Sequence, residues 1–198
     1  MPRERVVRWF ENFSARHRDS VLDVTGGALH ASAADGASAT ARLPFADEYD
    51  GPADPSAFAA AVSMPRRWGL LLVRKGGFAV AVVGNGNVVE SKVGQRHVQG
   101  RTKAGGQSQQ RFARRRDNQA RQAFEAAADH AHRVLTGPLA ALICGGDRQA
   151  VEQVLDDPRL RSLAAVRVEP WLDVPDPRRA VLEQAVVDGS SVAVTVSD

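Results

Sequence analysis

Hydrophobic residues near the start of the chain are spaced as on one face of a helix. Over residues 3–17 they recur at three- and four-residue steps with Arg and Glu between them, which predicts an amphipathic helix. Shorter apolar runs over 21–45 are broken by Gly-Gly and Asp-Gly pairs, and this pattern predicts short strands joined by turns. An acidic segment containing Pro and Gly predicts a loop over 46–56, and a short helix is expected over 56–63.

A second hydrophobic region begins near Trp68. Three runs of strand length, Trp68–Arg74, Phe78–Val83 and Val88–Val93, follow one another closely. The last two flank Gly84-Asn85-Gly86-Asn87, and Asn-Gly tolerates the positive φ angles of a tight hairpin turn. The same Gly-x-Gly does not indicate a dinucleotide site, because no helical pattern follows it directly.

The middle of the chain combines a polar loop with a long helix. Gly94–Gly106 is rich in Gly, Gln, Arg and Lys and has no apolar periodicity, so we expect an exposed loop. Ser108 is suited to cap a helix that continues to about Leu135. An apolar seam at helical spacing predicts the packed face of this helix. Its members are Phe112, Ala120, Ala123, Phe124, Ala127, Ala131 and Val134.

Strand and helix patterns alternate through the rest of the chain. They predict a strand over Leu139–Cys144, a helix over 147–155 capped by Asp147, a strand over Ala165–Val168, a helix over 177–187 and a last strand over 192–196. This alternation predicts a layered α/β fold with a mixed central sheet and flanking helices. We expect one domain over 1–198, in which 1–65 form the N-terminal helix and short strands and 66–198 form the core, with a loop at about 94–107.

Composition indicates an ordinary soluble protein. The 198 residues are 43% hydrophobic and 25% charged, as in typical globular domains. No apolar run approaches the length of a membrane span, and the N-terminus lacks the hydrophobic segment of a signal peptide. Cys144 is the one cysteine, so no intramolecular disulfide is possible. We therefore expect a cytoplasmic protein with no membrane partner.

The positive charge is concentrated in one segment. Residues 96–121 contain eight Lys/Arg and one acid, and the remaining 18 basic and 22 acidic residues leave a net charge of −4. Such a focused basic segment favours a polyanionic partner. A helix face neutralised by salt bridges is disfavoured, because acids at the i+4 positions are almost absent.

The end of this loop carries the segment Gly105-Gly106-Gln107-Ser108-Gln109-Gln110-Arg111-Phe112-Ala113-Arg114. It resembles the middle domain of archaeal and eukaryotic class-1 peptide-release factors, where a GGQ loop is followed by Ser and then by an Arg-Phe-Ala-Arg helix start. Gln109 and Gln110 depart from that family pattern, which usually has small or apolar residues there. The long helix after the loop, the apolar strand and the small-residue turn with an acid at Asp147 follow the order of the release-factor middle domain.

The resemblance implies that the GGQ residues are catalytic and that no cofactor or metal is needed. In this interpretation the Gln107 backbone N–H serves the transition state of ester hydrolysis and its side chain helps to select water. Gly105 and Gly106 supply a backbone that approaches RNA without a Cβ in the way. The resemblance further implies a basic set that contacts RNA phosphates. Its members are Arg101, Lys103, Arg111, Arg114, Arg115, Arg116 and Arg121.

The length of the chain narrows the expected activity. It leaves no space for a codon-reading domain, so the closer resemblance is to stand-alone release-factor-like peptidyl-tRNA hydrolases of ribosome-associated quality control, including their actinobacterial branch. This implies codon-independent release of nascent chains from stalled or split ribosomes. The expected partners are large-subunit rRNA and P-site peptidyl-tRNA, with a further factor considered for recruitment.

Two other functions stay open from the sequence. One is a non-catalytic ribosome- or RNA-binding factor that uses the basic loop and helix, and the other is hydrolysis of free peptidyl-tRNA. Other candidate sites are weaker. Cys144 lies in an apolar strand typical of a core, His130 and His132 are two apart on a helix and make a poor metal pair, and Trp171 is typical of a packed aromatic at a strand end.

Overall fold

The structure, a computed structural model, describes residues 1–95 and 107–197, and for 107–120 it describes the helical backbone without the side chains. The chain divides into two compact units. The first unit is formed by 1–64 together with 187–198, and the second by 65–186. The prediction of one domain stays a prediction.

The first unit combines two helices with an antiparallel sheet. Its elements are a 3₁₀ turn (Arg3–Arg5), α1 (Val6–Arg16), β1 (Val21–Thr25), β2 (Ala28–Ser32), β3 (Ser38–Arg42), α2 (Pro55–Ala61) and β9 (Ala193–Ser197). The strands lie in the order β1-β2-β3-β9. The predicted N-terminal helix is confirmed, and its apolar face is buried in one cluster with Leu29 of β2 and Phe58 of α2. Both predicted turns between the short strands are also present.

The last strand belongs to this first sheet. The sequence pattern assigned it to the segment 66–198, whereas β9 pairs antiparallel with β3, with Val194 opposite Ala41. The Met1 ammonium also donates a hydrogen bond to the Val192 carbonyl, just before β9. An alternating pattern predicts a strand but not the strand with which it pairs. The pairing depends on which residues, distant along the chain, are buried together.

The second unit is a mixed sheet with helices. Its elements are β4 (Arg67–Arg74), β5 (Gly77–Gly84), β6 (Asn87–Gln95), α3 (Gln107–Val134), β7 (Leu142–Gly146), α4 (Arg148–Leu155), a 3₁₀ turn (Pro158–Leu160), α5 (Arg161–Ala164) and β8 (Arg167–Leu172), followed by α6 (Arg179–Gly189). The strand order is β6-β5-β4-β7-β8. β7 is parallel to β4 and to β8, and the other pairs are antiparallel. The predicted mixed α/β fold class is confirmed.

One face of this sheet is covered by α3 and α4. Side chains of Val73, Val80 and Cys144 are buried in the same cluster as Ala131 of α3 and Val154 of α4. Strand residues alternate between the two faces of a sheet, and helix residues three and four apart share one face. The apolar seam predicted for α3 is therefore its packed face from Phe124 onward, while Phe112 and Ala120 have side chains outside the described residues.

The tight turn between β5 and β6 is formed by Asn85 and Gly86. Their φ angles are 50° and 78°, the left-handed values that a two-residue hairpin turn requires at both positions. The hairpin predicted from the Asn-Gly pair is confirmed.

Several element boundaries differ from the predicted ones. α3 begins at Gln107, so Ser108 lies inside its first turn rather than before it. β7 begins at Leu142 rather than Leu139, because its parallel pairing with β4 starts at Gly69 opposite Leu142. β8 covers Arg167–Leu172, since its ladder follows the length of β7.

The described residues also bear on membrane insertion. No helix within 1–95 or 107–197 has both the length and the hydrophobicity of a bilayer-spanning segment.

The start of α4 generates a test of the fold. The Asp147 carboxylate accepts a hydrogen bond from the Ala150 N–H at 3.3 Å, the capping contact predicted from the sequence. We expect Asp147→Ala to lower the free energy of unfolding by about 1 kcal/mol. Asp156 lies at the negative end of the same helix, so Asp156→Ala should leave stability unchanged or raise it by a few tenths of a kcal/mol. Urea unfolding measures both, and equal losses would contradict the capping role.

Candidate nucleic-acid interface

Four strands of the second unit end at the same edge of the sheet, here called the carboxyl edge. β4, β7 and β8 are parallel, and β6 runs in the same direction across the antiparallel β5. Residues 96–106 connect the end of β6 to the start of α3. Four predicted site residues, Arg101, Lys103, Gly105 and Gly106, lie outside the described residues.

Gln107 is the first residue of α3. The predicted RNA-binding residues Arg111, Arg114, Arg115 and Arg116 lie in the first half of this helix, where the structure describes the backbone and not the side chains. Among the described side chains of α3, Phe124 is the first that packs against the core cluster. At 1.5 Å per residue, Gln107 lies about 25 Å along the helix axis from Phe124.

An ion-pair network holds the packed half of α3 against the turn after α4. Arg159 donates to the carboxylates of Asp129 in α3 and Asp157, at 2.7 Å each. The hydrogen bond from the Arg159 side chain lowers the pKa of Asp157 to about 2. The Arg159 and Asp129 side chains are about half exposed, so the network contributes little free energy. It links α3 to this turn and adds little to the stability of the fold.

The base of the 96–106 segment is organised around the Phe78 ring. A Cβ on Gly94 would lie 2.3 Å from Phe78 Cε1, so only glycine lets β6 pass over this ring. Phe78 also stacks on His130 of α3, with ring centroids 5.3 Å apart. A single aromatic side chain therefore contacts both the strand that enters the 96–106 segment and the helix that leaves it.

This packing shifts the pKa of His130. Burial is the main cause that lowers the pKa of His130 below its usual value, and the nearby charges of Arg133 and Lys92 lower it further. Asp129 acts in the opposite direction and does not cancel them. The neutral imidazole is therefore the form that the folded structure favours.

Arg121 is the one predicted RNA-binding residue whose side chain is described, and it is exposed. It lines a groove of about 600 Å³ between α3 and α4. Lys75, Phe124 and Asp147 also line that groove. No sequence pattern marks Lys75, because it is a single Lys after a strand.

The structure also shows a pair of residues that the sequence did not connect. The Arg148 guanidinium lies 4.4 Å from the centroid of the Trp171 ring. The Trp171 indole N–H donates to the Gly146 carbonyl at 3.2 Å. The Trp171 side chain is thus partly buried in β8, as predicted for a packed aromatic. Its ring stacks with the Arg148 guanidinium.

Two other candidate sites were considered in the sequence, a Cys144 nucleophile and a metal site. Cys144 is 1% exposed, and burial raises the pKa of its thiol to about 12. It is therefore neither accessible nor ionised as a nucleophile near neutral pH. Within the part of the chain that the structure describes, no three His, Cys, Asp or Glu side chains are grouped to hold a metal ion.

A comparison with protein families identifies the family of this chain. Residues 66–195 match the family described as the Actinobacteria/chloroflexi VLRF1 release factor. This match covers more than half of the chain, so the chain belongs to that release factor family. Membership supports a role in translation termination or ribosome rescue and confirms the resemblance predicted from the GGQ segment.

Two solved structures align with this chain at low sequence identity. The archaeal translation termination factor aRF1 aligns with a TM-score of 0.43 and 13% identity, over 84% of this chain and 48% of that one. The Vms1 mitochondrial localization core aligns with a TM-score of 0.46 and 12% identity, over 84% of this chain and 76% of that one. This chain therefore spans about half the length of aRF1. Among curated proteins none matches the chain.

The close approach of Gly94 to Phe78 can be tested by a double-mutant cycle. We expect Gly94→Ala to lower the free energy of unfolding by about 1–3 kcal/mol, because the added methyl displaces the Phe78 ring. In a Phe78→Ala background the same substitution should cost at least about 0.5 kcal/mol less. Equal costs in both backgrounds would show that the ring is not the obstacle.

The environment of His130 predicts its response to pH. Its folded-state pKa lies below that of the unfolded chain, so the unfolded state binds the proton more readily, and stability should fall as pH drops below about 6.5. We expect Phe78→Ala to raise the pKa of His130 more than Lys92→Gln does, because burial is the largest cause. NMR titration of the imidazole measures this, and the reverse order would contradict the assignment.

Proposed function

We propose that this protein is a codon-independent peptidyl-tRNA hydrolase that releases nascent chains on stalled or split ribosomes. The observation that carries the proposal is the family match over residues 66–195, which contains Gly105-Gly106-Gln107 at the start of α3. Family membership supports the broad role in translation. The reaction itself and the roles of single residues are our proposal.

The proposed reaction does not require a reactive side chain on the protein. Peptidyl-tRNA contains an activated ester, and hydrolysis requires a water molecule at its carbonyl and stabilisation of the charge that develops on oxygen. Donors placed in advance at that oxygen are a major source of rate enhancement. A site of neutral hydrogen-bonding groups can therefore act without a side-chain nucleophile, in keeping with the buried, protonated state of Cys144.

The place of Gln107 at the helix start supports a role for its backbone N–H. The first N–H groups of an α-helix have no acceptor within the helix, and the helix dipole places partial positive charge there. As the first residue of α3, Gln107 has a donor that helix formation leaves free. We propose that this N–H donates to the oxygen on which negative charge develops.

The Gln107 side chain is proposed to select and orient the attacking water. Its amide provides both a donor and an acceptor and carries no charge, so its action would not depend on pH in the physiological range. Gly105 and Gly106 would supply the backbone freedom that brings Gln107 close to the ester. No cofactor takes part in this proposal.

The basic residues of the loop and helix are proposed to position the catalytic tip on RNA. In α3, positions 111 and 114 follow position 107 at steps of four and seven residues, which places them on one stripe of the helix. We propose that they and the other basic residues predicted above bind phosphates of large-subunit rRNA and of P-site tRNA. Such contacts position a protein without reading sequence.

A test that separates backbone from side chain uses the helix position of Gln107. Gln107→Ala removes the side chain alone, and we expect release from stalled ribosome–nascent-chain complexes to slow about tenfold or more. Gln107→Pro removes the N–H as well, and proline is well tolerated at a first helical position. Its rate should fall by a further factor of about 10²–10³. Gly106→Ala should also reduce release, with Gln153→Ala of α4 as the matched control.

Ribosome binding is followed in parallel by co-sedimentation, with either a sense or a stop codon in the A site. Release by the wild type on both codons, with binding kept in the Gln107 variants, is the expected result. Binding without release by the wild type would instead identify a non-catalytic ribosome-binding factor. Activity on deproteinised peptidyl-tRNA would favour a ribosome-independent hydrolase.

A further inference from the structure

The groove between α3 and α4 follows both helices for about two turns. α3 lines it between Arg121 and Ala128, and α4 lines it from Gln149 to Asp157, which lies just after the helix. On both helices the lining residues recur at three- and four-residue steps, so each helix contributes one face. Seven residues of a helix span about 10 Å, which is the length of the groove along α3.

The floor of the groove is apolar. Ala128 of α3 and Ala150 of α4 line it and are buried. Phe124 also lines it, is partly buried and packs against the same core cluster. The interior of a protein is normally close-packed, whereas here an aromatic ring and two small side chains border open space. An apolar side chain that covers this floor gains free energy by leaving water.

The charged residues that line the groove are mainly acidic. Among the residues that the structure describes they are four carboxylates and two cations, namely Glu125, Asp147, Asp156 and Asp157 with Lys75 and Arg121. Their net charge is −2, and the adjacent pair of Arg159 with Asp129 does not change it. The second unit as a whole contains 20 Lys/Arg and 12 Asp/Glu, a net charge of +8. The groove is therefore a negatively charged region of a basic unit.

Two of the four carboxylates are not used to hold the fold together. Asp147 caps α4, and Asp157 accepts from Arg159. Glu125 and Asp156 are exposed, and neither pairs with a Lys, Arg or His side chain at 4.0 Å or less among the side chains that the structure describes. Asp156 also follows the last residue of α4, where the helix dipole adds partial negative charge. A cation that enters the groove therefore meets carboxylates that are not already neutralised.

The two cations of the lining do not make the groove a phosphate site. Lys75 follows β4 at the carboxyl edge, where Asp147 begins the turn into α4. Asp176 lies against the neighbouring Gly76, with a carboxylate oxygen 2.6 Å from the position of a Cβ there. Carboxylates thus accompany the cations at this end, and a phosphodiester chain laid along the groove would be repelled. Arg121 is exposed and keeps its proposed RNA contact at the rim.

We propose that this groove docks a short basic segment of a partner protein. Lys or Arg side chains of the segment pair with Glu125 and Asp156, and an apolar side chain between them covers Phe124 and the two alanines of the floor. A length of about 10 Å accommodates two turns of a helix or about three residues of an extended chain. Complementary charge supplies specificity and speeds encounter. The inference goes beyond the proposed hydrolysis and does not depend on it.

The test measures binding of labelled synthetic peptides to the full-length protein by fluorescence anisotropy. The Lys peptide has a central Leu between two Lys, in flanks of Gly and Ser. In the Glu peptide each Lys is replaced by Glu, and in the Ser peptide the Leu is replaced by Ser. A short single-stranded RNA represents the other class of ligand.

The variants are matched in charge. The groove variant combines Glu125→Gln with Asp156→Asn, and the control variant combines Glu90→Gln with Glu183→Gln. All four side chains are exposed, but Glu90 of β6 and Glu183 of α6 do not line the groove. Loss of the exposed ion pair of Glu183 costs little. A third variant, Gln153→Lys, adds a cation to the groove at an exposed position.

We expect the groove variant to bind the Lys peptide about three- to tenfold more weakly than wild type, because two exposed ion pairs are lost. Gln153→Lys should weaken this peptide as well, and the control variant should stay within about twofold of wild type. The wild type should bind the Glu peptide more weakly because of its charge, and the Ser peptide more weakly because it lacks the apolar contact.

NMR of the labelled protein locates the bound ligand. The Lys peptide should shift the backbone amide signals of Ala128, Ala150 and Gln153, whereas RNA should leave them unchanged. If RNA shifted these signals and the Lys peptide did not, the groove would be an RNA site and the proposal would be wrong.

Three further results would overturn the docking proposal. They are the absence of saturable binding of the Lys peptide to wild type, equal binding of the Lys and Glu peptides, and equal losses in the groove and control variants. Thermal melting shows that the variants are folded before binding is compared. Peptide release is not part of this test, so failure of the proposed hydrolase and failure of the docking groove are distinguished.

Discussion

The second half of α3 packs on the sheet of the second unit, and this contact sets the direction of the helix. Ala127, Ala131 and Val134 are buried against strand residues such as Val80 and Val82. Small side chains bring the helix axis close to the sheet, and the close-packed interior then resists changes in its direction. α3 begins at Gln107, 17 residues before Phe124. The direction of the packed half of the helix therefore determines the position of Gln107.

The proposed chemistry and the fold are connected through this helix. Its first residue offers a backbone donor because helices leave their first N–H groups unpaired. Its packed half is anchored by apolar burial, by the Arg159 network and by the stack of His130 on Phe78. The same helix also carries Arg121 to the groove beside Asp147, so Gln107 and Arg121 lie on one element.

Local features were predicted well from the sequence, and the reasons are local. The Asn85-Gly86 turn follows from the backbone angles those residues allow. The Asp147 cap follows from a carboxylate next to free N–H groups. Boundaries were predicted less well. β7 begins at Leu142, where its hydrogen-bonded pairing with β4 starts opposite Gly69. Nothing in the apolar run from Leu139 marks that point.

Most elements, the basic segment and the GGQ motif can be predicted from the sequence, because they depend on residue types at fixed short spacings. Three contacts are visible only in the folded chain: β9 pairs with β3, Gly94 and His130 both contact the Phe78 ring, and Arg148 stacks on Trp171. Each of these joins residues distant along the chain. Such contacts are selected by burial and shape over the whole fold, and no short pattern encodes them.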